Sequence, residues 1–160
     1  MTAAFFDFEE VLARQTREPL ALGLKLVRLV RPAFRLILST EETQPELVQH
    51  WLLENALPRD TFAYQYHLLP DELELSEDEV FERHLDRALV HINIEMVVTA
   101  SPTRAAIAMR RSITALLFAS PATARPEFRP GLRPWDEISE EVSRRRILRA
   151  KATVGNADDD

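Results

Sequence analysis

The sequence predicts a three-layer α/β domain built on a mainly parallel five-stranded sheet. Three observations lead there. Five short apolar runs alternate with segments of helical length and period along the chain. Strands separated by helices of about 10–15 residues imply βαβ crossovers rather than hairpins. Helix-start signals also recur just behind polar turns, as Thr43-Gln44-Pro45-Glu46, Ser76-Glu77-Asp78-Glu79 and Ser101-Pro102, two of them spaced as capping boxes.

The elements follow in order. Residues 4 to 9, with Phe5, Phe6 and Phe8, read as a short buried strand. Residues 19 to 31 carry Leu20, Leu22, Leu24, Leu26, Val27, Leu29 and Val30. That length predicts a largely buried helix, opened by Pro19 at its first position and ended before Pro32. Phe34 to Ser39 forms a second strand. Thr43 is expected to cap the next helix, with Glu46 reaching back. That helix turns Leu47, Val48, Trp51 and Leu52 to one side, and Asn55 stops it. Phe62, Tyr64 and Tyr66 alternate as a short third strand. From Ser76 a helix places Val80, Phe81, His84, Leu85 and Ala88 inward. Ile92 to Val98 supplies the fourth strand. Ser101 and Pro102 start a short helix to about Arg111, and Thr114 to Ala119 gives the fifth strand. Right-handed crossovers then put helices on both faces of the sheet.

Beyond the sheet the chain changes character. Arg125-Pro126, Arg129-Pro130 and Arg133-Pro134 repeat every four residues. Proline discourages helix there, so residues 121–134 are expected to be an extended strap. The strap would cover a sheet edge, with Arg125, Arg129, Arg133 and Trp135 as candidate partner-binding residues. A helix is expected over 135–150 and a disordered tail over 151–160. Residues 1–150 thus form one domain.

Composition narrows the function classes. The net charge of -6 argues against general nucleic-acid binding, although Arg144, Arg145, Arg146, Arg149 and Lys151 make the C-terminal helix basic. Glu137, Glu140 and Glu141 precede those bases, an order that suits the helix dipole without a ligand. There is no cysteine, which excludes disulfides and thiolate metal sites and fits a reducing cytoplasm. Three glycines leave no room for a glycine-rich phosphate loop. His50, His67, His84 and His91 show no zinc-enzyme spacing. No apolar stretch reaches the roughly 20 residues that cross a bilayer.

The N-terminal run Phe5-Phe6-Asp7-Phe8-Glu9-Glu10-Val11-Leu12 resembles the opening strand and nucleophile loop of haloacid dehalogenase-like (HAD) phosphatases. That family pattern is an apolar strand followed by Asp, any residue, Asp, Gly and Thr or Val. The resemblance implies a Rossmann-like core without a cap domain. It places Asp7 as nucleophile and Glu9, one methylene longer than usual, as acid/base. It makes Ser39 or Thr40 the phosphate-binding hydroxyl. Arg83 and Arg87 are candidates for the charge-stabilising base. Glu10 stands where the pattern has glycine. Where the family carries metal-binding acids after strand four, this chain has Thr99, Ala100 and Ser101. Without those acids Mg²⁺ would bind poorly, and phosphoryl transfer would lose its main electrostatic support.

Leu116 to Pro121, followed by the Arg-Pro run and Arg133-Pro134-Trp135-Asp136-Glu137-Ile138, resembles HAD-like proteins encoded by bacteriophages of actinomycetes. That implies a nonstructural protein made in the host cytoplasm. The expectation is therefore a catalytically degenerate phosphatase-like protein, without metal or other cofactor, that binds a host or phage protein; a homo-oligomer is also open. Two alternatives stand beside it. One is a Mg²⁺-dependent phosphatase or nucleotidase using Asp7, with Glu41 or Glu42 as substitute metal acids. The other is a nucleic-acid-binding module using the basic C-terminal helix.

Overall fold

The structure is a computed structural model and describes residues 2–118. In chain order it contains β1 (Ala3–Asp7), α1 (Ala21–Val30), β2 (Arg35–Ser39), α2 (Pro45–Glu54), β3 (Tyr64–Tyr66), α3 (Glu77–Leu89), β4 (Ile94–Thr99), α4 (Pro102–Arg110) and β5 (Thr114–Leu117). Short 3-10 turns at Arg59–Thr61 and Pro70–Glu72 flank β3. All five strands are parallel, in the order β3-β2-β1-β4-β5. The expected α/β sheet is present. The proposed strap 121–134, with Arg125, Arg129 and Arg133, lies outside the described residues. So do Trp135, the helix 135–150 and the tail.

This order reverses direction once. From β1 the chain steps outward through β2 to β3, then crosses back over β1 to β4 and outward to β5. Right-handed crossovers therefore put α1 and α2 on one face and α3 and α4 on the other. The strands serve both faces because successive side chains point in opposite directions. Ala4 and Phe6 share a buried cluster with Val27, Val48, Trp51 and Leu52. Ala3, Phe5 and Ile37 pack with Phe81, Leu85, Ile107 and Ala108 on the opposite side. Phe8 meets Trp51 edge-on at 4.9 Å, and Phe5 meets Phe81 edge-on at 5.6 Å. Each fully buried large side chain contributes about 1.5–3 kcal/mol relative to exposure.

The start signals were borne out twice. Ser76 Oγ accepts the Glu79 N–H at 3.3 Å, and Glu79 Oε2 accepts the Ser76 N–H at 2.8 Å. Ser101 Oγ accepts the Arg104 N–H at 3.3 Å, with Pro102 at the first helical position. The third expectation was wrong. Gln44, not Thr43, is the N-cap of α2, and it makes no side-chain cap. Glu42 instead accepts the N–H groups of Thr43 at 2.9 Å and Gln44 at 3.1 Å. The Thr43 N–H that Glu46 would have reached back to in the box is thus already taken by Glu42. Leu47 is 40% exposed rather than inward. Helix α1 begins at Ala21, because Pro19 bridges to Ala13 in the preceding loop.

That loop is packed, not loose. Phe8, Val11, Leu12 and Ala13 are buried in the same core as α1. A Cβ at Gly23 would stand 1.8 Å from the Val11 carbonyl oxygen, so only glycine lets α1 lie this close. This contact seats the loop against α1, while the carboxyl end of β1 is held by its pairing with β2 and β4.

Candidate functional site

In an open parallel sheet, ligands bind beyond the carboxyl ends of the strands, at the point where the strand order reverses. Here that point is the boundary between β1 and β4. Asp7 ends β1 and lies in register with Ser39, while Phe6 pairs with Val98, one residue before Thr99. Asp7, Ser39 and Thr99 are thus brought together at three adjacent strand ends, and Glu9 and Thr40 follow just beyond.

Asp7 is 2% exposed and fully engaged. Arg104 Nη1 donates to Asp7 Oδ1 at 2.9 Å and to Oδ2 at 2.7 Å. Thr99 Oγ1 donates to Oδ2 at 2.9 Å and accepts the Ser101 N–H at 3.1 Å. Arg104 comes from the third position of α4. The Ser101 cap holds that turn, and Phe81 lies under the guanidinium at 5.5 Å. The remaining donors of Arg104 go to Glu41 Oε1 at 2.6 Å and Asp78 Oδ1 at 3.1 Å. Glu77 Oε2 lies 3.6 Å from Nη2. One guanidinium therefore ties the ends of β1 and α3 and the β2–α2 loop to α4.

The electrostatics follow from burial and this one cation. Burial pushes the Asp7 carboxyl up to about 6, against the pull of Arg104 and Thr99. Near neutral pH it is still ionised. Burial also works against the charge of Arg104, but Asp7 and Glu41 outweigh it and hold the guanidinium firmly protonated.

Glu9 sits across the loop. Its Oε1 accepts from Thr40 Oγ1 at 2.7 Å and from the Glu41 N–H at 3.0 Å. Its Oε2 is buried with no protein partner. Burial, then the charge of Asp7, raises Glu9 to about 7. Glu9 lines a cavity of about 210 Å³ with Phe8, Arg14, Arg17, Glu41 and Glu42. Glu10 adopts φ 59°, the left-handed conformation where the HAD pattern has glycine, and its Oε1 accepts the Gln15 N–H at 3.3 Å.

The hydroxyls expected to bind phosphate are otherwise occupied. Ser39 Oγ lies 2.8 Å from His84 Nδ1, and His84 Nε2 lies 3.4 Å from Glu72 Oε2. Glu72 also accepts from Arg87 at 3.0 Å and from the Leu69 N–H at 2.9 Å. Burial lowers His84 to about 4, so the imidazole is neutral near pH 7. Ser39, His84 and Glu72 are each at most 3% exposed. This serine–histidine–glutamate series is a buried tie between β2 and α3. Of the two expected bases, Arg83 pairs with Asp71 at the surface, and Arg87 pairs with Glu72 over the Tyr66 ring. The base beside Asp7 is Arg104, which the sequence reading missed.

Mg²⁺ does not fit this arrangement while Arg104 is in place. Both Asp7 oxygens receive guanidinium bonds, and Glu41 is held by the same group. Glu42 pairs with Arg17. Thr99, Ala100 and Ser101 add no carboxylate to offset those losses, and a hard cation needs several oxygens free to converge on it. Among the described residues no three acid or histidine groups are placed to hold a metal ion.

Fold and site together define a parallel α/β domain whose strand-end pocket is closed by an internal ion pair. No protein-family profile matches the chain, and no curated protein does. Solved structures do resemble it. One, described as the structure of the Pnkp1/Rnl/Hen1 RNA repair complex, superposes with a TM-score of 0.59 at 11% identity, over 74% of this chain and 42% of that one. A second structure of the Pnkp1/Rnl/Hen1 complex gives 0.58 at 9% identity, over 74% and 46%. The chain spans less than half the length of the proteins it matches. At these identities the likeness is one of fold. Among the described residues no helix is long and apolar enough to cross a membrane.

Proposed function

We propose that this chain is a catalytically degenerate, HAD-like phosphatase relative that acts by binding a protein partner. The observation that carries this is the two-pronged bond from Arg104 to Asp7. A nucleophile must present a free lone pair to phosphorus. Both Asp7 oxygens accept hydrogen bonds, the side chain is closed to solvent, and Arg104 is already committed to it and to Glu41 and Asp78. Turnover through Asp7 would require solvent-side access to at least one of its buried oxygens and a shift of Arg104 away from it.

What remains available for work is surface. Helix α1 turns Leu22 and Leu29 outward, 64% and 76% exposed, with Lys25 and Arg28 on the same side. Between Glu18 and Glu41 the chain carries Lys25, Arg28, Arg31 and Arg35 and no acid, within a protein of net charge -6. Exposed leucines beside Lys25 and Arg28 on α1 suit an acidic partner segment. The fold neighbours come from an assembly of several proteins, which accords with a partner-binding role. We further propose that the protein is a nonstructural phage accessory protein working in the host cytoplasm.

The test is competitive capture. A partner held by the wild type and by Asp7→Ala, yet lost by the Lys25→Glu/Leu29→Glu variant, supports binding independent of the old catalytic centre. Loss with Asp7→Ala and retention by the α1 variant would reverse that conclusion.

A further inference from the structure

We propose that the acidic segment which docks on α1 belongs to a second copy of this chain, supplied by residues 69–79, so that copies join head to tail. This inference rests on the reading of α1 as a docking surface and names its occupant.

The sequence keeps its charges in blocks. From Pro19 to Thr40 the only charged side chains are Lys25, Arg28, Arg31 and Arg35, and from Asp60 to Glu82 there are acids but no Lys or Arg. Each block also exposes leucines. Leu22 and Leu29 stand out from α1, and Leu69 and Leu73, 41% and 61% exposed, stand out ahead of α3. Arg31 pairs with Asp60, and Asp71 with Arg83. Lys25 and Glu74 are exposed and form no ion pair among the described residues. The helix dipole accounts for Arg28 in the last turn of α1 and for Glu77 to Glu79 in the first turn of α3. It does not account for Lys25 in mid-helix, for Glu74 ahead of α3, or for the leucines beside them. Exposed apolar side chains rimmed by charge mark interaction surfaces, and these two surfaces are opposite in sign.

One copy cannot close this contact on itself. Helix α1 joins two parallel strands, so it runs against them and ends at their amino side, where Arg35 opens β2. Residues 69–76 follow the carboxyl end of β3 and lead into α3. Helix α1 packs on one layer through Val27, and α3 packs on the other through Phe81 and Leu85. The two surfaces therefore lie on opposite faces and toward opposite ends of a sheet whose five-residue strands are about 17 Å long. Surfaces so placed cannot meet in reciprocal pairs across a two-fold axis. They make a heterologous contact, in which each copy offers α1 to one neighbour and its acidic turn to another. Leucine against leucine supplies the affinity, because exposed ion pairs add little. The opposed charges orient the copies and speed their encounter.

Analytical ultracentrifugation of the full chain tests this. The mean mass of the wild type should rise with concentration and pass that of a dimer. The association constant should fall at least about tenfold between about 0.05 M and about 0.5 M NaCl, as salt screens the opposed charges. Two variants remove one surface each: Lys25→Ser/Leu29→Ser and Leu73→Ser/Glu74→Ser. Each alone should be monomeric. Mixed in equal amounts, they should form a one-to-one complex and nothing larger, because each keeps one working surface. A wild type that stays a single protomer up to about 1 mM overturns the proposal. So does self-association that either variant preserves, or a mixture of folded variants that stays monomeric. If a variant does not fold, the wild type decides alone, and association indifferent to salt overturns the proposal. A monomeric wild type whose captured partner is still lost by Lys25→Glu/Leu29→Glu removes this occupant and leaves α1 a docking surface, so the two conclusions can fail separately.

Discussion

Arg104 Nη1 donates to both carboxylate oxygens of Asp7, at 2.9 and 2.7 Å, across 97 residues of sequence and from the opposite side of a strand boundary. This pair closes the pocket that the sheet topology opens. Its energetic weight is asymmetric. A buried pair adds little over a well-packed apolar substitute, but removing one partner strands the other charge.

Arg104→Met should therefore cost about 3–5 kcal/mol of stability at pH 8, where Asp7 is ionised. Near pH 5 the loss should shrink, because Asp7, already raised to about 6, takes up a proton and needs no counter-charge. Adding Asp7→Asn should recover much of the loss at pH 8. Urea denaturation at both pH values checks this; an equal loss at each would show that packing on Phe81, not charge, is what Arg104 supplies.

Glu9 makes a second pH-dependent contribution, with a definite sign. Its folded value is about 7 against an ordinary 4.5. The folded state therefore binds the proton more tightly than the unfolded chain between those values. That contribution is present in full below pH 4.5, fades as pH rises to about 7, and then stays lost. Glu9→Gln removes it. The stability of the wild type minus that of the variant should fall across pH 4.5–7 and be flat above. His84 works the other way: with a folded value of about 4, its neutral burial costs stability as pH drops below 6.5.

Gly23→Ala tests the seating of the loop between β1 and α1. Glycine to alanine in a helix ordinarily stabilises by roughly 0.5–1 kcal/mol. Here the new methyl would stand 1.8 Å from the Val11 carbonyl oxygen. The backbone must retreat, so a net loss of about 1–3 kcal/mol is expected, as for other overpacked cores. Thermal denaturation decides the sign, and a rise in Tm would contradict the close approach.

Much of the fold was legible because strands and helices here obey local rules. Phe5 and Phe6 point to opposite layers, the Ser76–Glu79 box forms as spaced, and Val80, Phe81, His84, Leu85 and Ala88 are all buried. The gathering of Asp7, Ser39 and Thr99 was legible too, since parallel strands bring their carboxyl ends to one side. Arg104 was not, because its partners lie 63 and 97 residues away along the chain, at Glu41 and Asp7. A signal for it did exist. A base in the first turn of a helix contradicts the dipole, and such local conflicts mark residues held by distant partners. Thr43 was misread because Glu42, one residue earlier, takes the Thr43 N–H that the expected box assigned to Glu46.

The central claim is that Asp7 is chemically silent because Arg104 holds it. Phosphate release from an aryl phosphate and from nucleoside monophosphates, in millimolar Mg²⁺, compares wild type with Asp7→Asn. Indistinguishable background rates are predicted for both. Turnover by the wild type that disappears with Asp7→Asn would contradict the account.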